Sequence, residues 1–307
     1  MNEKLADKAE QTRRRVRLIR AASVASVSVA LALVAVKVWA WIQTGSIALL
    51  GSLADSLLDL LASAMTLIAV RYALEPADRE HRFGHGKLEA IAGLVQSLII
   101  IGSASYVGYE AVNRFLSPEP VAAPLVGVIV MLLSLALTIS LVLFQRFVVK
   151  QTGSVAISAD ALHYKGDVLT NVAVLVAIGA SSWLGWHLAD PVLGLLVAAV
   201  ILASARMIVL QALDILLDRE LPTDLRREIA GIAKGHQEVL GIHDLRTRSS
   251  GASEFIQFHL ELKPELTLTQ AHEICDEVES ELLARFPQAE IIIHADPYGL
   301  DEPQDDF

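Results

Sequence analysis

The chain has 307 residues, 53% of them hydrophobic, and a mean hydropathy of +0.49. That excludes a chain built only of water-exposed domains. Its formal charge of −10 is uneven: from Asp218 to Phe307 there are 8 Lys and Arg against 20 Asp and Glu, which leaves the remainder slightly basic, with no stripe suited to nucleic acid.

Six stretches approach the roughly 20 apolar residues that a helix needs to cross a bilayer. They run over 21–41, 47–69, 90–112, 121–149, 154–186 and 191–213. Arg13, Arg14, Arg15, Arg17 and Arg20 precede the first. That run is too long for a signal peptide and lacks a small-residue cleavage site, so it reads as a first span held at the cytoplasm by its arginines. Lys37, inside it, is expected to snorkel outward. The connections after spans two and four carry Arg71, Arg79, Arg82, Lys87, Arg146 and Lys150, whereas those after one, three and five carry only Arg114. Basic loops stay inside, so six spans place both termini in the cytoplasm. Trp39, Trp41, Trp183 and Trp186 then fall near the outer ends.

The second span contains Asp55 and Asp59, and the fifth contains His163 and Asp167, each pair spaced i, i+4 on one helical face. Ser52, Ser56 and Ser63 widen the stripe on the second, while Asp160 and Asn171 extend that on the fifth. Ionisable groups inside a bilayer cost several kcal/mol each, so three carboxylates and an imidazole there need a counter-charge. A divalent ion with tetrahedral preference supplies it, since zinc accepts His nitrogen and Asp oxygen and four ligands close its shell. Binding requires deprotonated carboxylates and neutral imidazole, so protons and metal compete for the same groups. The plainer reading is interhelical glue, but Ser, Thr or Asn would serve that end at lower desolvation cost.

At Ala54-Asp55-Ser56-Leu57-Leu58-Asp59 and Ala159-Asp160-Ala161-Leu162-His163-Tyr164-Lys165-Gly166-Asp167, the chain resembles the cation diffusion facilitator family, most closely its bacterial zinc and ferrous-iron efflux branch. The likeness extends through Gly45-Ser46, Pro76-Ala77-Asp78, Phe83-Gly84-His85-Gly86-Lys87, His243-Asp244-Leu245-Arg246-Thr247-Arg248 and Ile292-Ile293-His294. It implies an all-α six-helix transmembrane bundle, a cytoplasmic α+β ferredoxin-like domain, a homodimer and metal/proton antiport. Its transport site falls on Asp55, Asp59, His163 and Asp167, and Leu162 matches an apolar position associated with closing the pathway.

Between spans two and three, Asp78, His81 and His85 offer one carboxylate and two imidazoles. The resemblance makes them a second, loop-borne metal site. The acidic end reads as helix, strand, strand, helix, strand from Pro222 and Thr223 to Asp296, with Gly251 at a turn. Ile256, Phe258, Leu260 and Leu262 alternate with Phe255, Gln257, His259 and Glu261, as in a strand with one covered face. A helix from about Thr269 to Phe286 turns Ala271, Ile274, Cys275, Val278 and Leu282 inward. Cys275, the single cysteine, excludes an intrachain disulfide and is expected to fill apolar space. The resemblance matches His243, His259, His272, His294 and Asp296 to a binuclear zinc site. Ala295 departs from it where close relatives carry a ligating Gln, leaving a backbone carbonyl as substitute or one weaker ion. Lys87 and Asp218 match positions that pair across the junction of the two domains.

The expected divisions are a basic cytoplasmic N-terminus at 1–20, the bundle at 21–213, the cytoplasmic domain at 214–296 and an acidic flexible tail at 297–307. The expected activity is efflux of Zn2+, with Cd2+ and Fe2+ as further substrates, in exchange for protons across the bacterial inner membrane. A metal-gated channel or a membrane-anchored metal sensor would use the same residues. No nucleophile elbow, phosphate-binding glycine loop or HExxH occurs, so neither enzyme chemistry nor a small organic substrate is expected.

Overall fold

The computed structural model describes residues 2–44, 47–116, 125–184, 186, 188–251 and 253–299. Gly45-Ser46 and most of the expected acidic tail at 297–307 lie outside the described residues. The chain divides into two compact units, Arg15–Leu213 and Asp214–Phe307 with Met1–Arg14.

Six long helices account for the apolar part: α1 (Asn2–Thr44), α2 (Ile47–Ala73), α3 (Lys87–Leu116), α4 (Leu125–Thr152), α5 (Val155–Leu184) and α6 (Ala189–Leu216). No helix interior is broken by proline, because Pro76, Pro118, Pro120 and Pro124 fall between helices and Pro191 sits in the first turn of α6. α1 carries the basic residues Arg13 to Arg20 and the first apolar run in one continuous helix. Five helices carry stretches long and apolar enough to cross a membrane, over Arg13–Gln43, Ser52–Ala73, Lys87–Leu116, Val128–Thr152 and Pro191–Leu216. α5 is the exception among the described residues, its first half carrying Asp160, His163, Lys165 and Asp167.

Small residues set the helix spacing. The buried face of α3 includes Ala90, Ala92, Gly93, Ser97 and Ala104, the residue types that let membrane helices approach closely. A Cβ at Gly93 would lie 2.8 Å from Val155 Cγ1 and 3.3 Å from the Val155 carbonyl oxygen, so this glycine sets how near α3 comes to α5. Leu57, Leu58, Leu61, Leu143 and Leu196 point outward, where lipid tails rather than water would cover them.

The second unit contains α7 (Thr223–Gly235), β1 (Gly241–Ser250), β2 (Ser253–Leu262), α8 (Leu268–Arg285) and β3 (Ala289–Pro297). The sheet order is β1-β2-β3, β1 antiparallel and β3 parallel to β2, and α8 makes the crossover between the parallel strands. This is the expected α+β domain. Ile256, Phe258, Leu260 and Leu262 meet Ile274, Val278 and Leu282 of α8 in one core, with Ala271 and Cys275 packed against it. Thr267 opens α8 with a reciprocal capping box to Gln270. Phe255, placed by alternation on the open face, is nonetheless buried, the Arg248 guanidinium lying over its ring at 4.3 Å.

Candidate metal centre

α2 and α5 pack side by side, so the inward stripes of the two helices meet. His163 Nε2 lies 2.8 Å from Asp59 Oδ1, and ligand atoms of Asp59, His163 and Asp167 all fall within 4.8 Å of one another. An imidazole and two carboxylates at that spacing can grip one divalent ion. Asp167, one turn after His163, accepts the Asn171 amide on its backbone carbonyl, which leaves its carboxylate for the cluster. Asp55 belongs to the same face of α2 one turn earlier, but it is more exposed and stands outside the group of three.

Asp160 takes a different course from the stripe to which its spacing assigns it. Its carboxylate is fully buried and accepts from Ser26 Oγ at 2.5 Å and from Gln145 Nε2 at 2.7 Å. Ser26 in turn meets Ser63 Oγ at 3.2 Å, and Ser63 meets the Tyr164 hydroxyl at 2.8 Å. The network pins α1, α2, α4 and α5 together beside the cluster, so Asp160 and Ser63 are structural here.

Lys37 does not snorkel outward. Its Nζ donates to the Ser52 carbonyl at 3.0 Å and to Ser56 Oγ at 2.7 Å, which binds α1 to the polar face of α2. Of the serines expected to widen a metal stripe, Ser56 accepts from this ammonium through its hydroxyl and Ser52 through its backbone carbonyl. Leu162, the expected gate position, is buried beside His163.

In the connection between α2 and α3, Asp78 gathers both imidazoles: Oδ1 is 3.3 Å from His81 Nδ1 and Oδ2 is 3.4 Å from His85 Nε2. The two rings are tilted, with centroids 4.5 Å apart. The backbone N–H of His81, followed by its ring and the N–H of Glu80, holds the Asp78 carboxyl below the usual carboxylate range. His85 Nε2 is the ring nitrogen turned to Asp78, while its buried Nδ1 has no hydrogen-bond partner. Two imidazoles and a carboxylate are a donor set that fits zinc.

In the second unit three histidines line up across the sheet, His243 of β1 opposite His259 of β2, and His259 opposite His294 of β3. Asp296 is two residues past His294 and so on the same face. Its Oδ2 is 2.7 Å from His259 Nδ1 and 3.5 Å from His243 Nε2, while Oδ1 is 3.1 Å from His294 Nε2. A register shift between His243 and Arg246, with Asp244 at φ 49, bulges β1 beside His243 and re-aims it. His243, His259 and Asp296 bring ligand atoms within 4.8 Å. His272 is apart from them, exposed on α8 and 3.8 Å from Asp276. Asp218, at φ 54, is 3.3 Å from Arg248 Nη1 within the same domain.

Two family models match the chain. One, described as cation efflux transmembrane domain, covers residues 23–217, and the other, cation efflux protein, cytoplasmic domain, covers 221–298. The chain belongs to the cation diffusion facilitator family. It is 48% identical over 281 residues to the cation-efflux pump FieF of Klebsiella pneumoniae subsp. pneumoniae, covering 92% of this chain and 93% of the relative. The FieF proteins of Shigella flexneri serotype 5b and Escherichia coli K12 match over the same shares at 48% and 47% identity. Among solved structures, the metal-bound C-terminal domain of the CzcD transporter from Thermotoga maritima matches at 28% identity, covering 26% of this chain and 93% of that chain with a TM-score of 0.25. As a cation diffusion facilitator, the chain is a multi-pass cation-efflux transporter and not an enzyme, as its sequence led one to expect.

Proposed function

We propose that this transporter exports divalent transition metal from the cytoplasm, zinc first and cadmium or ferrous iron with it, in exchange for protons. The observation that carries this reading is the convergence of Asp59 on α2 with His163 and Asp167 on α5 onto one spot. Asp55, one turn away on α2, completes a four-ligand shell when the helices shift in alternating access. Protonation of the same groups expels the ion, because metal needs carboxylate and neutral imidazole. Leu162, packed beside His163, closes the path between the two sides.

The chain works as a homodimer in the bacterial inner membrane with both termini cytoplasmic. Asp78, His81 and His85 hold a second ion. His243, His259, His294 and Asp296, with His272, hold zinc in the cytoplasmic domain, where it neutralises the acidic charge that would repel two docked copies.

Zinc uptake into proteoliposomes with a trapped pH dye tests the exchange. Proton movement opposite to zinc supports antiport, whereas zinc flux with a silent dye assigns the protein to a channel.

A further inference from the structure

Lys37 is a cation in the apolar stretch of α1 that turns inward. A lysine in a span ordinarily lays its stem along the helix and places its ammonium at the interface. Here the ammonium is held by Ser52 O at 3.0 Å and Ser56 Oγ at 2.7 Å, on the two sides of Asp55 in sequence. Ser52 and Ser56 lie on the face of α2 that carries Asp55 and Asp59, so the ammonium stands against that face. It touches none of the proposed ligands, so it is placed to act on the site through space.

The charges then decide its role. Three carboxylates with a divalent ion and a neutral imidazole sum to −1, and such a residue of charge is costly in the bilayer interior. Counted over the four ligands and their ion, the ammonium brings the sum to zero; Asp160, held by Ser26 and Gln145, stands outside that count. A singly charged ion would leave the sum at −1 and a triply charged ion at +1.

We infer that Lys37 is a built-in charge-compensating residue of the transport site, which makes the site neutral when it holds a doubly charged ion. The inference rests on the reading of Asp55, Asp59, His163 and Asp167 as that site. It has an unusual consequence. A fixed positive charge near a cation weakens binding while making the loaded site easier to carry, so removing it should move affinity and turnover in opposite directions. A packing role would lower both.

The test uses the full-length protein, with zinc binding by calorimetry and zinc uptake in proteoliposomes. Asp59→Ala defines which component of binding belongs to the transport site. Lys37→Gln is expected to tighten that component by on the order of tenfold, the scale of losing one nearby charge, and to slow turnover by about as much. Lys37→Arg should keep both near the parent. Weaker or unchanged zinc binding in Lys37→Gln overturns the inference and leaves the transport site standing. If the parent has no component that depends on Asp59, the site reading falls and the inference with it. Lys37→Met is a second neutral variant should Gln fail to fold, and failure of both neutral variants beside an intact Lys37→Arg assigns Lys37 to architecture and overturns the proposal.

Discussion

His163 on α5 and Asp59 on α2 face each other with Nε2 and Oδ1 2.8 Å apart, although 104 residues separate them in the chain. This contact joins the two polar stripes of the bundle, and Asp167 completes it from the next turn of α5. Substituting alanine for Asp59, His163 or Asp167 should remove one ligand of four. With total zinc binding of about 10–16 kcal/mol at closed structural sites, one ligand is worth roughly 3 kcal/mol, or about 100-fold in affinity. Calorimetry on each variant checks this. Equal affinity in the Asp59→Ala protein would contradict it.

Asp160 gives a contrasting outcome. Asp160→Ala strands the Gln145 amide in a buried place, at a cost of about 1–3 kcal/mol, and leaves the Ser26 hydroxyl only its longer contact to Ser63. Asp160→Asn keeps an acceptor oxygen and should lose much less. Thermal unfolding in detergent should separate the two variants, and the number of zinc ions bound should not change in Asp160→Asn.

The sheet cluster predicts an order among its histidines. His259 is central, with the His243 ring 4.9 Å to one side and the His294 ring 4.7 Å to the other. His259→Ala should therefore abolish the ion held with His243 and Asp296, whereas His272→Ala should leave that ion bound. Counting zinc per chain after dialysis distinguishes them, and equal losses would argue against the order.

Cys275 offers a test of pH dependence outside the membrane. Partial burial, then the charges of Asp276 and Glu279, push its thiol above the ordinary cysteine range. The folded state thus holds its proton to higher pH than the unfolded chain, so the group's contribution to stability is present at neutral pH and fades as pH rises through the folded value. Alkylation by iodoacetamide, which needs thiolate, should be slow in native protein at neutral pH and accelerate above it. Fast neutral labelling would mean that the helix is opening.

Much of this was legible from the chain because two periods are unambiguous. Long apolar runs became α1 to α6, with α4 starting just after Pro124, and the alternation through Ile256, Phe258, Leu260 and Leu262 became β2. Spacing i, i+4 put Asp55 with Asp59 on one face but could not fix how far α2 is rotated toward α5, and so could not separate Asp59 from Asp55. The direction of Lys37 depended on acceptors in another helix, Ser52 and Ser56, which periodicity within α1 cannot reveal. Asp160 sits in the same motif as His163 yet faces α1 and α4, a distinction of about one helical turn. The bulge beside Asp244 likewise has no period to betray it.

The central claim is that one divalent ion sits between α2 and α5. An anomalous difference map from zinc-loaded crystals tests it most directly. The account predicts a zinc peak enclosed by Asp59, His163 and Asp167, lost in Asp59→Ala. Zinc peaks confined to the loop and sheet clusters, with none between those helices, would contradict it.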